Sequence, residues 1–165
     1  MNYKLPLEYK IDFKIILTAI LYYLSARLGY FLAFEDTTAL PAWPPSGIAF
    51  ALIILLGRNV WPGITIGAMI ANLMAFWNNK DVPQHTLIAV SSIIAVGETL
   101  EILAGNYLVR MWIKDSYPFK SAKDTFRFLF VTLIMSLIGA WVGAAGLYLN
   151  SVIVTGELMK NGFTW

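Results

Sequence analysis

Five polar side chains sit inside otherwise apolar runs of this sequence: Arg27, Asn72, Glu98, Glu101 and Asn106. An ionisable group at the centre of an apolar span costs several kcal/mol, so such groups turn toward a bundle interior, find partners and mark a site or pathway. Glu98 and Glu101 are three residues apart and share one helix face. With Arg27 as the one cation inside the spans, simultaneous ionisation of both carboxylates is unfavourable. Two arrangements fit these groups. One is a buried Arg–Glu strut with the second glutamate protonated against an Asn or the backbone; the other is a ligand or signalling site. A second constellation is Leu40-Pro41-Ala42-Trp43-Pro44-Pro45-Ser46-Gly47. Prolines preset φ for a first helical turn, and the free amides from Ser46 onward make a partly positive helix end suited to an anion or a carbonyl. The same residues also read as a stiff cap that shortens a helix. His85, the only histidine, stands without cysteine or an acidic cluster beside it and reads as a surface residue at a helix start rather than a metal ligand. Neither a glycine-rich phosphate loop nor a Ser-His-Asp set is present, so an enzyme acting alone is not expected and no cofactor is called for.

The elements that must hold these groups follow from composition. Of 165 residues 58% are apolar and 13% charged, against about 25% charge in a soluble domain. That excludes disorder and argues for a bilayer as the surrounding solvent, with material for four or five spans of roughly 20 residues each. A net charge of +2 is too small for phosphate tracking, so nucleic acid is set aside. The absence of cysteine removes disulfides, thiolate metal sites and iron–sulfur clusters. The basic start MNYKLPLEYKIDFK leads into an apolar run without a cleavage site and reads as a cytoplasmic segment, 1–14, before a retained first span. Five apolar segments are predicted, at about 15–34, 45–57, 60–77, 86–111 and 126–150, giving an all-α polytopic bundle in a single domain, 15–165. The second segment is the shortest, about 20 Å against a core near 30 Å. It is therefore either short with Trp43 and Pro44 dipping inward, or re-entrant.

Charge placement predicts the orientation. With the N-terminus inside, the inner flanks carry Lys4, Lys10, Lys14, Arg58, Arg110, Lys114, Lys120, Lys123 and Arg127, and the outer loops only Lys80 and Lys160. A re-entrant second segment would put the basic loop 110–127 outside, which argues for five crossings. Trp43, Trp61, Trp77 and Trp112 stand at segment ends and are expected at headgroup depth. Measured from segment midpoints, Arg27 lies about 4–5 Å and Asn72 about 5 Å to the outer side, Glu98 near the middle and Glu101 about 4–5 Å inward. Arg27 is thus within reach of Glu98 and barely of Glu101. Small residues recur at Gly63, Gly67 and Ala71 and at Gly139, Gly143 and Gly146, stripes that let helix backbones approach within the chain or between subunits. The ending GFTW resembles the approach to another helix and reads as a partial chain.

The run WPPSGIAFALIILLGRNVWPGITIGAMIANL at 43–73, with GETLEILAGNYLVR at 97–110 and PFKSAKDTFRFLFV at 118–131, resembles the first membrane-associated sensor domain family, the bacterial integral-membrane input modules upstream of diguanylate cyclases, phosphodiesterases and histidine kinases. The resemblance covers the chain from about residue 15. It places the family pattern on Trp43, Pro44, Pro45, Ser46, Gly47, Trp61, Pro62, Gly63, Gly67, Asn72, Thr99, Glu101 and Gly105. Glu98 departs from it, the family usually carrying Asn there. The family has more than five spans and then a cytoplasmic output domain.

The leading reading is a sensory input domain of the bacterial inner membrane, in two-component or cyclic di-GMP signalling. A small-molecule or protein effector would meet the Trp43–Gly47 turn, Asn72, Asn106 and the Arg27/Glu98/Glu101 interior, with the signal passing across a homodimer or to partner membrane helices. Two other classes compete: a small substrate-binding component of a vitamin-type importer, and an assembly subunit that uses its glycine stripes alone.

Overall fold

The computed structural model describes residues 7–31, 43–77, 83–113 and 121–149, and every element in them is helical. Five α-helices, α1 (Leu7–Phe31), α2 (Pro44–Leu56), α3 (Trp61–Phe76), α4 (Gln84–Trp112) and α5 (Ala122–Leu149), reproduce the five apolar segments. Helix α1 begins eight residues before the predicted span. Lys4, Lys80, Lys114, Lys120, Lys160, Leu40 to Ala42 and the C-terminal stretch lie outside the described residues.

Local chemistry sets the helix ends. Pro44 and Pro45 open α2 where no side chain caps it. Gly57 closes it at φ +93°, a left-handed backbone that a Cβ would strain, and its N–H bonds the Ile53 carbonyl at 3.1 Å. A single 3-10 turn, Arg58–Val60, then leads directly into α3. Ser121 accepts from the Asp124 N–H at 3.2 Å at the start of α5. Arg127 joins that start to the end of α4 by donating to the Trp112 carbonyl at 2.9 Å.

Helix α4 is the centre, with α3 and α5 on opposite sides; α1 packs on α3, and α2 lies between α1 and α4. Glycines make the α1–α3 and α4–α5 seams within the chain. Gly63 faces the Ile15 carbonyl and Gly67 that of Ala19, so α1 and α3 run parallel. Gly97 faces Val142, Gly105 faces Met135 and Gly146 faces Ile93, so α4 and α5 run antiparallel. Parallel α1 and α3 require the chain between Phe31 and Trp61 to return to the end where α1 starts. That settles the second segment as a return leg. Arg58, Arg110, Lys123 and Arg127 consequently gather at the end of the bundle where α1 begins, and Arg27 stands in the other half.

The core below the polar groups is built from Tyr22, Phe50, Ile53, Ile64, Ile102, Val131 and Met135, with Phe50 and Phe128 rings 5.8 Å apart across α2 and α5. Arg58–Phe76, Gln84–Trp112 and Ala122–Leu149 are long and apolar enough to cross a membrane. Their outward faces carry large exposed apolar side chains such as Leu133, Leu137, Ile70 and Leu100, the distribution a lipid solvent permits.

Candidate functional site

The site forms where α2 starts. At 13 residues, about 20 Å, α2 is too short to run the length of α4, and its first turn stands opposite the middle of that helix. Ser46 Oγ donates to Glu101 Oε1 at 2.5 Å. The other carboxylate oxygen of Glu101 lies against Gly139 of α5, in the space a Cβ would occupy. One turn away on the same face, Glu98 Oε2 accepts from Asn72 Nδ2 at 3.4 Å, and Asn72 Nδ2 also bonds the Ala68 carbonyl at 2.9 Å. Both glutamates are buried, Glu98 at 7% and Glu101 at 4% exposure. The Tyr22 hydroxyl of α1 points at Glu98 and at the Trp43 indole, yet closes a well-formed hydrogen bond with neither. Trp43 packs edge-on against Tyr30 with ring centroids 5.3 Å apart. Beside the glutamates, the Thr65 and Thr99 hydroxyls meet at 2.8 Å across α3 and α4.

Each helix therefore contributes a group, and two forces hold the carboxylates. Ser46 and Asn72 supply hydrogen bonds to oxygen, and the first turn of α2, with its unpaired amides, brings a partial positive charge to mid-helix depth beside Glu101. The prolines matter because they start a helix inside the bundle with two fewer N–H groups to satisfy.

The structure sorts the sequence-predicted residues. Trp43, Ser46, Asn72, Glu98 and Glu101 come together, with Pro44 and Pro45 placing the turn that carries the first two. Arg27 does not join them. It is exposed on α1 alongside Ile20, Leu24 and Leu28, because the inward stripe of that helix is Thr18, Tyr22, Ser25, Ala26 and Gly29. The Arg27–Glu98 strut, one of the two arrangements the sequence allowed, does not form, and the one ion pair among the described residues is Arg127–Asp124. Depth arithmetic along the helix carries no information on the azimuth of Arg27. Asn106 is buried but faces the end of α4, where its Oδ1 accepts from Arg110 Nε at 3.2 Å. Trp43 is half-buried and turned toward Glu98, in keeping with the inward-dipping alternative for the second segment, since the prolines begin α2 beside the middle of α4. His85 is exposed in the first turn of α4, as expected. Sequence reasoning missed Tyr22 and Gly139. Tyr22 had a signal in its spacing from Thr18 and Gly29 along one helix stripe; Gly139 read only as a packing glycine.

No curated protein and no solved structure matches this chain. The model of one family, MASE1, matches residues 15–165, essentially the whole chain and all three motifs noted above. That family is a sensory one found in signalling proteins rather than a catalytic one. The bundle, its lipid-compatible exterior and this match agree, and the chain belongs to the MASE1 family of membrane-associated sensor domains.

Proposed function

We propose that the chain is a multi-pass input module of the bacterial inner membrane, with its N-terminus cytoplasmic, in which an effector meets the Trp43–Ser46 turn and the Glu98/Glu101 interior. Binding favours one of two packings of α2 against α4, and the shift reaches a cytoplasmic output of diguanylate cyclase or histidine kinase type through a homodimer. The basic residues gathered at one end of the bundle support that orientation. One observation carries the reading. All five helices converge on two buried carboxylates, so a change in what those carboxylates bind is felt by every helix at once. The family match favours this reading over the importer component.

The chain lacks cysteine, so paired spin labels at Leu55→Cys and Leu133→Cys report the α2–α5 spacing without background. Glu101→Gln and Ser46→Ala are expected to redistribute two distance populations, and to change the output of a fusion to a cyclase or kinase domain. One unchanged distance together with unchanged output in both variants would remove the proposal.

A further inference from the structure

Arg27 stands on the outward face of α1 among exposed Ile20, Leu24 and Leu28, and among the described residues no ion pair reaches it. A guanidinium facing hydrocarbon is costly unless it reaches a polar layer. The register of α1 against α3 shows how near that layer is. Gly63 stands against Ile15 and Thr18, and Gly67 against Ala19 and Tyr22. One turn further the same register sets Ala71 against Tyr23 and Ala26, and both alanines are buried. The next turn sets Ala75 against Arg27. Ala75 belongs to the last turn of α3, which ends at Phe76 and is followed in sequence by exposed Trp77 and the polar run Asn78-Asn79-Lys80-Asp81. A tryptophan at such an end settles at headgroup depth. Arg27 is therefore level with a helix end, farther from the bilayer centre than counting along α1 alone puts it, and its long side chain can snorkel to the headgroups.

Two helices share the flank on which it stands. Tyr23, one turn before Arg27 on the same side of α1, donates its hydroxyl to Met74 Sδ at 3.0 Å. Met74, Ile70 and Ile66 follow one another at four-residue spacing on α3, and all three are exposed. This side of the α1–α3 seam is thus apolar over about 12 Å and ends in a cation and an indole. Charge complementarity decides what covers it. Among the described residues no accessible carboxylate is at that level: Glu8 and Asp12 belong to the first turns of α1, Asp124 to the first turn of α5, and Glu98 and Glu101 are buried. Two copies inserted the same way hold each group at the same depth, so a second copy brings none of these acids to Arg27. A lipid phosphate does lie at headgroup depth, and two of its oxygens match the planar fork of a guanidinium. Thioether sulfur is a weak acceptor, so the Tyr23 hydroxyl gains by turning to a lipid ester oxygen.

We propose that this flank of α1 and α3 is a phospholipid site, with the phosphate gripped by Arg27 beside Trp77 and an acyl chain lying along Met74, Ile70 and Ile66. In the orientation proposed above the lipid belongs to the outer leaflet. The site is separate from the buried glutamates and stands whether or not an effector meets them. Its consequence is mechanical: a phosphate holding Arg27 fixes the depth of α1, and through the glycine contacts the depth of α3 with it.

The test uses the 165-residue chain, isotope-labelled at arginine Cζ, in phosphatidylcholine bilayers. Solid-state NMR reads the dipolar coupling between Cζ and lipid phosphorus. The difference between wild type and Arg27→Gln isolates Arg27, because Arg58, Arg110 and Arg127 are common to both. That difference signal is expected to lose most of its intensity when the coupling to phosphorus is switched on, as a guanidinium touching phosphate does. Arg27→Lys keeps the charge and gives the same difference if Arg27→Gln inserts poorly. A difference signal that keeps its full intensity would overturn the proposal. The second arm asks whether protein covers the flank instead. Ile70→Cys supplies a single thiol in a chain without cysteine, and it is expected to stay monomeric under mild oxidation in the same bilayers. A disulfide-linked dimer requires Cα atoms within about 7 Å; its formation would put a second copy where the lipid is proposed and would equally overturn the site.

Discussion

The α1–α3 seam and the α2–α4–α5 junction both depend on glycine, and they use it in opposite ways. At the seam, Gly63 and Gly67 let one helix rest on the backbone of another: a Cβ at Gly67 would stand 2.7 Å from the Ala19 carbonyl oxygen and 2.8 Å from Tyr22 Cβ. Backbone cannot step aside, so this contact has one geometry. At the junction, Gly139 makes room for the free end of the Glu101 side chain, whose other oxygen is held by Ser46. A carboxylate on rotatable bonds can be released or re-aimed. The seam is fixed by backbone contact, and the junction, held through a side-chain tip, is where the two proposed packings would differ.

The sharpest way to break the comparison is to make the same substitution in both places. Gly67→Ala is expected to cost about 3 kcal/mol, the upper range for overpacking, since α1 must move away from α3; denaturant titration in mixed micelles measures it, and wild-type stability would show that the seam yields as easily as the junction. Ser46→Ala removes the one side-chain donor to Glu101 among the described residues and is expected to cost about 1–2 kcal/mol, with most of that loss absent in a Glu101→Leu background. Gly139→Ala should cost about 1 kcal/mol, because a side-chain tip can swing where a backbone cannot, and the cost should vanish when Glu101 is shortened to Ala. Persistence of the full cost there would place the constraint in the α4–α5 backbone. The smallest effect is expected of Thr65→Val: about 0.5 kcal/mol for the hydroxyl contact across α3 and α4, since Thr99 keeps its own bond to the Ala95 carbonyl at 2.7 Å. A larger loss would extend the polar junction along α3.

Much of this was readable from residue types. Apolar run lengths placed all five helices to within a few residues except at the start of α1, where Leu7–Lys14 continues the helix through polar positions. The i, i+3 spacing of Glu98 and Glu101 put both on one face, and the pair is buried together. Arg27 shows what such reasoning omits. Depth along a helix follows from counting, but direction around it depends on which neighbours arrive, and α1 presents its small and aromatic stripe to α3 and α2 instead. For Trp43 the sequence left a headgroup position and an inward dip both open, and the start of α2 opposite the middle of α4 accords with the inward dip.

Composition, span lengths and the placement of basic residues determined that this is an all-helical chain suited to a membrane, because the cost of exposing polar groups to lipid acts on every residue independently of its distant neighbours. Which polar groups meet was decided only by the tertiary packing. Ser46 and Glu101 are 55 residues apart in sequence, and their contact exists because a 13-residue helix starts at the middle of α4 and a glycine on α5 leaves a space there. Both conditions are relations between helices, and no local pattern encodes them.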